Sequence, residues 1–454
     1  MESFCYRQDL EGMQMNRVVK CSDLLCRQMG IHSELFVTFQ FGSIQVQKVK
    51  LQPSDIRNRN SHFVLPKELF QGLFLKDGIE YKLRWKNSNT IEIGPTIGFL
   101  LGDSPHSYSA SYMQKFMDRF AVYQDIKGFI CAFAEENIDW NKKIVHGLYF
   151  NPNGKNLEAK WEFGVFPIPN VIYRRYFHND EEKIEQLKKI TNSRIFNSYR
   201  FTKMDFYSIL NSDPSLLKHL PHTEILSLEK EFLYSFLYSH PKAIIKPVDL
   251  SRGRGILYIQ RLQGKDLLVI DHRPKQPVYM RLSGRNFLSY LKQEVKSPEK
   301  HIIQELIPFV KINSSPFDIR VVMQKDDRGV WICNGMEARH AIPNSYVTNL
   351  AKGGHATSVQ QALHLAFGFS MDQVTRKINE VIELSMQVCH KMDQTEHHFA
   401  EFGIDLGIDY YEKVWIIEAN VYPSFKGIRQ FHQKQYENIR YTPLRYAYAI
   451  SGFY

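Results

Sequence analysis

The sequence has few cysteines and lacks the common nucleotide-binding fingerprints. Its six cysteines are scattered over 454 residues, and Cys21 and Cys26 have no second close pair or histidine beside them, so we expect neither a disulfide framework nor a zinc site. No GxxxxGK[ST] segment occurs, which excludes a P-loop. Gly253 and Gly255 are not followed by the third glycine of a dinucleotide fingerprint, because Tyr258 stands there.

The sequence also lacks long apolar runs, internal repeats and low-complexity segments. No uninterrupted apolar stretch approaches the ~18 residues that a membrane-spanning helix needs. The first residues, MESFCYRQDLEG, place no apolar run behind a basic segment, so no secretory signal is expected. We therefore predict a soluble protein without a membrane span, in a reducing compartment, the cytoplasm.

Charge of either sign is not concentrated in one part of the chain. The formal net charge of +10 comes from 58 basic and 48 acidic residues that are spread along the sequence. This mild basic excess suits an anionic ligand such as a polyphosphate. No compact basic stripe is present, and the 31 phenylalanines and 24 tyrosines are dispersed, so nucleic acid is not an expected partner.

The pattern of apolar residues predicts three successive regions, 1–90, 91–175 and 176–454. The first is β-rich, since residues 35–47 alternate with period two around Gly42, as a hairpin does. The second alternates buried strands with helical segments and predicts a small open α/β domain, in which IEIGPTIGFLLGD is interpreted as one buried strand followed by a loop. The third contains the chemical motifs and an amphipathic helix over 371–392.

Two acids and an amide near the carboxyl end predict a cation site. FGIDLGI and VWIIEAN flank a short polar segment, which is the pattern of a β-hairpin. If the turn is centred between Tyr411 and Glu412, Asp405 lies directly opposite Glu418. Asn420 shares the face of Glu418, because side chains two apart in a strand point the same way. Such oxygens are the ligands that Mg²⁺ prefers; the alternative is a polar side of the hairpin that faces solvent.

A lysine at a strand end and a glycine loop predict a phosphate site. AIIKP reads as a buried strand that ends near Lys246, and VDLSRGRGILYI places Ser251, Gly253 and Gly255 in a loop before the next strand. Glycines let backbone N–H groups close over phosphates, and the lysine neutralises them as a point charge. The alternative is an ordinary hairpin turn with a lysine at its strand end.

Two further segments carry polar groups at useful spacings. HIIQELIPF, at 301–309, can link two lobes and offer backbone groups to a purine edge, although it also reads as a core strand. FDIRVVMQ and VWICNGMEAR predict a second hairpin, in which Asp318 and Arg320 share a face and a surface ion pair is the simpler account. Arg339 is a candidate fork for a phosphate or carboxylate. Asn349 precedes a Gly-Gly turn by four residues.

The order of these motifs resembles that of the ATP-grasp superfamily, over about residues 170–425. IGPTIGFLLG, KPVDLSRGRGI, MEARHAIPNSYVTNLAKGG and IIEANVYPSF, with the β-rich amino terminus, resemble more closely the endospore coat-associated YheC/YheD family, over nearly the full length. The resemblance implies a multidomain α/β and α+β protein. An ATP-grasp fold of two lobes would follow a β-rich amino-terminal module and a small open α/β domain.

The resemblance also implies roles for individual residues. The implied nucleotide-binding residues are Lys203, Lys246, Ser251, Gly253, Gly255, Gln304, Glu305 and Ile307, the last three forming the adenine hinge. The implied metal ligands are Asp405, Glu418 and Asn420. The implied catalytic residues are Arg339, Asn349 and Lys246. The glycine loop departs from many relatives in carrying arginines at 252 and 254.

The activity that the resemblance implies is ATP-dependent ligation of a carboxylate to an amine through an acyl-phosphate. ATP and Mg²⁺ would be bound, with Mn²⁺ as the alternative ion, and the identity of the acid and the amine stays open. The resemblance also implies association with the spore coat and with coat proteins. The alternative is a non-catalytic ATP-binding protein of the coat layers.

Overall fold

The computed structural model describes residues 17–54, 63–102, 104, 108–156, 160–177, 180–250, 255–264, 266–274, 277–341 and 354–454. The chain forms two compact units, one comprising Met1–Ser198 with Tyr441–Tyr454 and the other Tyr199–Arg440. The three-part division at residues 90 and 175 stays a prediction.

The first unit begins with a six-stranded sheet. Its strands and adjoining helices are β1 (Val18–Ser22), α1 (Asp23–Gln28), β2 (Leu35–Phe41), β3 (Ile44–Ser54), β4 (Phe63–Val64), α2 (Lys67–Gly72), β5 (Lys82–Asn87) and β6 (Thr90–Gly94). The strand order is β4-β1-β3-β2-β6-β5. The predicted hairpin around Gly42 is confirmed, since β2 and β3 are antiparallel with Phe41 opposite Ile44.

A seven-stranded sheet completes the first unit. Its elements are β7 (Thr96–Gly102), α3 (Ala110–Met113), a 3-10 helix (Gln114–Val122), α4 (Tyr123–Ile126), β8 (Phe129–Ala134), a 3-10 turn (Glu135–Asn137), β9 (Ile138–Asp139), β10 (Ile144–Phe150), β11 (Trp161–Pro167), β12 (Val171–Arg174), α5 (Glu181–Thr191) and β13 (Ile195–Phe196). The order is β11-β10-β8-β7-β12-β13, with β9 beside β10. Strand β7 is parallel to both β8 and β12, as expected of an open α/β sheet.

The interpretation of IEIGPTIGFLLGD as one strand is wrong. The segment forms two strands, β6 and β7, which belong to different sheets. Pro95 between them has no N–H to donate to a ladder, so pairing is interrupted there. Every residue of both strands is buried. Because the apolar residues continue without interruption from β6 into β7, their pattern does not reveal the break at Pro95.

The second unit contains two lobes, and the amino-terminal lobe comes first. Its elements are α6 (Lys203–Asn211), α7 (Pro214–Leu217), β14 (Thr223–Ile225), α8 (Lys230–Ser239), β15 (Lys242–Pro247), β16 (Leu257–Arg261), β17 (Asp266–Asp271), β18 (Val278–Ser283), α9 (Gly284–Glu294), a 3-10 turn (Pro298–Lys300) and β19 (His301–Glu305). The sheet order is β14-β19-β15-β16-β17-β18. Residues of α8 and α9 such as Phe236 and Leu291 cover one face of this sheet.

The carboxyl-terminal lobe follows. Its elements are β20 (Lys311–Ile312), β21 (Ser315–Lys325), β22 (Trp331–His340), β23 (His355–Thr357), α10 (Val359–Phe367), α11 (Met371–Asp393), β24 (Glu401–Ile408), β25 (Val414–Asn420), α12 (Ile428–Phe431) and the start of α13 (Gln433–Ser451), a helix whose residues from Tyr441 onward belong to the first unit. The sheet order is β23-β22-β21-β24-β25, with β20 beside β21. The structure confirms both predicted hairpins, β21–β22 and β24–β25, and the predicted helix, which is α11. None of the described helices combines the length and apolar character of a membrane span.

Candidate functional site

The amino-terminal lobe contributes a buried lysine from the sheet face that lies opposite α8 and α9. In β15, Ala243 and Ile245 belong to the core beneath these helices, so Lys246 lies on the other face. Its Nζ donates a 2.8 Å hydrogen bond to Oε1 of Gln304 on β19. Gln304 Nε2 in turn donates to Thr223 Oγ1 at 2.7 Å. The lysine is therefore held in place by a buried amide.

A second lysine lies beside the first, and both are influenced by one carboxylate. Burial lowers the pKa of Lys246 to about 8, an effect that the Glu418 carboxylate opposes and the Lys203 ammonium reinforces. Lys203 begins α6 and its Nζ donates to the carbonyl oxygens of Pro247, at 3.1 Å, and Leu250. Burial also lowers the pKa of Lys203, again opposed by Glu418. The structure thus brings two predicted nucleotide lysines and one predicted metal ligand together.

The hairpin β24–β25 places Asp405 opposite Glu418, as the sequence predicts, but by a different route. Leu406 lies opposite Ile416, whereas Asp405 lies opposite Glu418, so Ile417 is an extra residue that forms a β-bulge. The turn is centred on Tyr411 and not between Tyr411 and Glu412, so the predicted centre is wrong by half a residue. The extra residue in the bulge shifts the pairing by the amount needed to bring Asp405 opposite Glu418. Because cross-strand partners share a face, the two carboxylates lie side by side.

Four charged side chains form a row across the carboxyl-terminal lobe. Glu337 on β22 is opposite Arg320 on β21. Arg320 is opposite Asp405 on β24, which is opposite Glu418 on β25. Adjacent strands are about 4.8 Å apart, so this charged row spans roughly 14 Å. Glu337, Arg320 and Asp405 are 1%, 5% and 2% exposed, whereas Glu418 is half-buried.

Asp405 is bound by two arginines. Arg320 donates from Nε to Oδ1 and from Nη2 to Oδ2, the latter at 2.7 Å. Arg339 Nη2 lies 2.8 Å from the same Oδ2. Burial raises the pKa of Asp405, but the two guanidinium groups outweigh it and hold the pKa below its ordinary value. Asp405 is consequently ionised at neutral pH.

The interpretation of Asp318 and Arg320 as a surface ion pair is wrong. Both side chains are 5% exposed, and each is paired with a residue on a neighbouring strand. Arg339 donates to Asp318 from Nε at 2.7 Å and from Nη2 at 2.6 Å. The fork of Arg339, predicted to hold a phosphate or carboxylate, therefore holds Asp318 and Asp405 in this structure. Its role toward a substrate stays a prediction.

The segment predicted to link two lobes does so. Leu306 N–H donates to the carbonyl of Lys242 in the amino-terminal lobe at 3.0 Å, and Val310 N–H donates to the carbonyl of Ile408 in the carboxyl-terminal lobe at 2.9 Å. Glu305 N–H donates to the His222 carbonyl at 2.8 Å. The adenine contacts expected of Gln304, Glu305 and Ile307 stay predictions.

Beside this linker lies an apolar patch. Its buried members are Ile256, Tyr258 and Ile270, against which Ile244, Leu268 and Leu306 pack. Because Ile244 is two residues from Lys246 in β15, the patch and the lysine share a face of the sheet.

Three predicted residues, Ser251, Gly253 and Asn349, lie outside the described residues, and their roles stay predictions. Gly255, which follows the first two, has a φ of +75°. A Cβ there would stand 2.7 Å from the ring of Pro247. Both the backbone conformation and the close approach therefore favour glycine at this position.

The predicted metal ligands suit Mg²⁺. Within the described ranges no group of three or more His, Cys, Asp or Glu residues is arranged to hold a metal ion; the predicted set is two acids and an amide. Asn420 Nδ2 donates to Glu418 Oε1 at 3.3 Å, a contact that does not use the Asn420 amide oxygen or the second Glu418 oxygen. Among the described residues, the hydrogen bond to Asp405 Oδ1 comes from Arg320. One or two carboxylates, with waters and phosphates, are the usual magnesium ligands in proteins.

The sequence interpretation missed Glu337. Oε2 of this buried carboxyl has no hydrogen-bond partner among the described residues. Burial raises its pKa to about 6, although Arg320 and Arg339 lower it. The sequence carries one signal for Glu337, its spacing of two residues from Arg339, which places both side chains on the same face of β22. Asp318 and Arg320 lie on that face of the neighbouring strand β21.

A strand lysine beside a glycine loop in one lobe, a linker, and a carboxylate hairpin in the next lobe are the parts of an ATP-grasp protein, and the chain has this fold. The family model described as YheC/D like ATP-grasp matches residues 192–450. This is more than half of the chain, so the chain belongs to that family, as the motifs predict.

Two Bacillus subtilis (strain 168) proteins are similar to this chain. Endospore coat-associated protein YheD is 26% identical over 357 residues, which are 74% of this chain and 74% of that protein. Endospore coat-associated protein YheC is 23% identical over 300 residues, 63% of this chain and 79% of that protein. Among solved structures, the D-alanine-D-alanine ligase from Coxiella burnetii has a TM-score of 0.44 at 10% identity, covering 79% of this chain and 95% of that one.

Proposed function

We propose that the protein is an ATP-dependent ligase that joins a carboxylate to an amine, with Mg²⁺ as its cofactor. The observation that carries the proposal is that the Glu418 carboxylate, on the hairpin of one lobe, raises the pKa of both Lys203 and Lys246, in the other lobe, against the effect of burial. This arrangement suits a magnesium–nucleotide complex, because the lysines can bind the phosphates and the carboxylate can bind the metal.

The nucleotide would lie along the amino-terminal lobe. Lys246 and Lys203 would neutralise the phosphates, together with the loop that contains Ser251, Gly253 and Gly255. The apolar patch defined above lies on the same sheet face as Lys246 and would contact the adenine ring. The backbone of the linker at Gln304, Glu305 and Ile307 would supply the polar contacts to the purine edge.

The metal would be held by Glu418, Asn420 and Asp405. When bound there, magnesium would neutralise the negative charge that develops on the phosphates during phosphoryl transfer. The pairing of Asp405 with two arginines fixes the direction of its carboxylate and keeps it ionised. Asp405 would thus orient the site as well as contribute one oxygen.

The reaction would proceed in two displacements. A carboxylate oxygen of the acid attacks the γ-phosphorus of ATP, the bond to the β-phosphate oxygen breaks, and ADP leaves with that electron pair. The amine nitrogen then attacks the acyl carbon, and inorganic phosphate leaves as the amide forms. Lys246, Arg339 and Asn349 would stabilise the oxygens on which charge accumulates.

A second candidate function is a non-catalytic ATP-binding protein of the spore coat. Two relatives that are named as endospore coat-associated proteins favour it. It shares the nucleotide and metal sites with the ligase and differs in having no acid or amine substrate. In either case the spore coat is the proposed place of action, with coat proteins as partners.

Hydroxylamine trapping separates the two candidates. The full chain is incubated with Mg-ATP, a panel of carboxylic acids and hydroxylamine, and hydroxamate and ADP are measured. A ligase forms both in equal amounts with at least one acid. Binding of Mg-ATP without hydroxamate for any acid of a broad panel would support the coat protein instead.

The matched control lies on the same strand as the lysine. Lys246→Gln should abolish hydroxamate formation, because it removes a buried ammonium next to the proposed phosphates. Lys242→Gln changes an exposed lysine at the far end of β15, and this variant should still form hydroxamate. Equal loss in both variants would indicate damage to the strand instead of loss of a phosphate contact.

A further inference from the structure

Glu337 carries a buried carboxylate oxygen that nothing in the described chain satisfies. The side chain is 1% exposed, and Oε2 has no hydrogen-bond partner among the described residues. Ile428 supplies a backbone hydrogen bond to this carboxyl. An unpaired buried acceptor destabilises a fold, so its presence in a candidate site requires an explanation.

The arginines near Glu337 are already matched by other acids. Arg320, its cross-strand neighbour, directs its fork to Asp405. Arg339, two residues along β22, directs its fork to Asp318 and also reaches Asp405. Each guanidinium thus has an aspartate, and Glu337 is the third acid in the group. Its ionised form leaves one negative charge in excess, which a single cationic donor would balance.

We propose that Glu337 Oε2 receives the ammonium group of the amine substrate and takes up one of its protons. The inference rests on the proposed ligase function and names its second substrate as a primary amine that arrives protonated. The proton moves from nitrogen to Oε2, so the nitrogen keeps the electron pair that forms the amide bond. The acyl carbon–oxygen bond then breaks, phosphate leaves with the electron pair of that bond, and the second proton that the nitrogen loses goes to the departing phosphate.

The place of Glu337 in the charged row suits this task. Glu418, at the other end, is the member that influences Lys203 and Lys246, where the phosphates would lie. Glu337 is two strands from Asp405, roughly 10 Å. The nitrogen would thus lie apart from the metal ligands, on the far side of Arg320. The amine would therefore approach from the side opposite the nucleotide.

The protonation of Glu337 gives the inference a pH dependence. Burial raises the pKa of Glu337 to about 6; Arg320, Arg339 and the Ile428 N–H lower it, and Asp318 raises it further. The carboxylate can therefore accept an ammonium above about pH 6. Below that pH it is neutral and loses the attraction.

The test uses simple ammonium ions and the nucleotide-free full chain. Thermal unfolding is measured in about 200 mM methylammonium chloride and in the same concentration of tetramethylammonium chloride, which cannot donate a hydrogen bond. At pH 8 we expect methylammonium to raise the Tm of the wild type by about 1–2 °C over tetramethylammonium. The difference in Tm between the two salts should vanish at pH 5 in the wild type and at pH 8 in Glu337→Gln.

Glu401→Gln is the matched control. Glu401 is also buried in this sheet, but its Oε1 accepts from Gln324 Nε2 at 2.8 Å. This variant should keep the methylammonium effect. An equal effect in the wild type and Glu337→Gln, or no effect at pH 8 in the wild type, would overturn the proposal; the pH comparison needs no variant to fold. Neither ATP nor an acid is present, so this result is independent of the hydroxylamine assay.

Discussion

The affinity for ATP should fall as the pH rises through about 8, because Lys246 loses its proton there. An unperturbed lysine has a pKa of about 10.4 and would stay charged to a much higher pH. In this protein burial lowers the pKa of Lys246 to about 8. The ammonium form attracts phosphate and the neutral amine does not. Proton loss in the free protein therefore opposes binding, by at most tenfold for each pH unit above the pKa.

The size of the effect follows from the contact that is lost. A hydrogen bond to a charged group contributes about 1.5–3 kcal/mol, which corresponds to roughly a 10- to 100-fold change in the dissociation constant. We expect most of this loss between pH 8 and pH 10. Burial lowers the pKa of Lys203 as well, so its contribution has the same sign. The structure thus predicts a single downward trend in affinity as the pH rises.

Calorimetric titration with ATP from pH 6.5 to 10, at constant ionic strength, measures this trend. Lys246→Arg keeps its charge over the whole pH range, so any remaining fall of ATP affinity with pH in this variant should come from deprotonation of Lys203. Glu418→Gln removes a carboxylate that raises the pKa of Lys246, so the decline should begin below pH 8. Lys242→Gln, at the exposed end of the strand, should follow the wild-type curve. A constant affinity up to pH 10, or identical curves for the wild type and Lys246→Arg, would refute the reasoning.

Three further predictions concern individual residues. Glu418→Gln should weaken Mg-dependent ATP binding about 10-fold or more at pH 7, whereas Glu412→Gln in the exposed turn should not; equal magnesium dependence in calorimetry with and without metal would contradict the metal assignment. Asp405→Asn should lower the free energy of unfolding by about 3 kcal/mol or more, because it leaves two buried guanidinium groups without their shared carboxylate. Denaturant unfolding measures this, and the exposed Asp372→Asn should change stability by only a few tenths of a kcal/mol. Gly255→Ala should cost about 1–2 kcal/mol in the same assay, since its φ is positive; an unchanged midpoint would count against the described backbone.

Local patterns were sufficient to predict the elements that carry the site. The hairpin β24–β25 follows from two apolar runs around a polar turn, and Lys246 follows from a buried strand before a glycine loop. Both patterns are local, because the alternation of apolar and polar residues in a strand and the residue preferences of a turn depend on near neighbours in the sequence. The register of Asp405 and Glu418 was correct although the turn centre was not, because a bulge at Ile417 leaves no clear signal in the sequence.

The sequence by itself therefore determined the family, the two hairpins of the carboxyl-terminal lobe and the residues around which a magnesium–nucleotide site can be proposed. Only the tertiary structure decided which charges meet. Arg320 and Asp405 are 85 residues apart in the chain and become partners because β21 lies between β22 and β24. That strand order buries Asp318 and Arg320 and leaves Glu337 without a partner for Oε2 among the described residues. Strand order depends on the packing of the whole lobe, which no local pattern encodes.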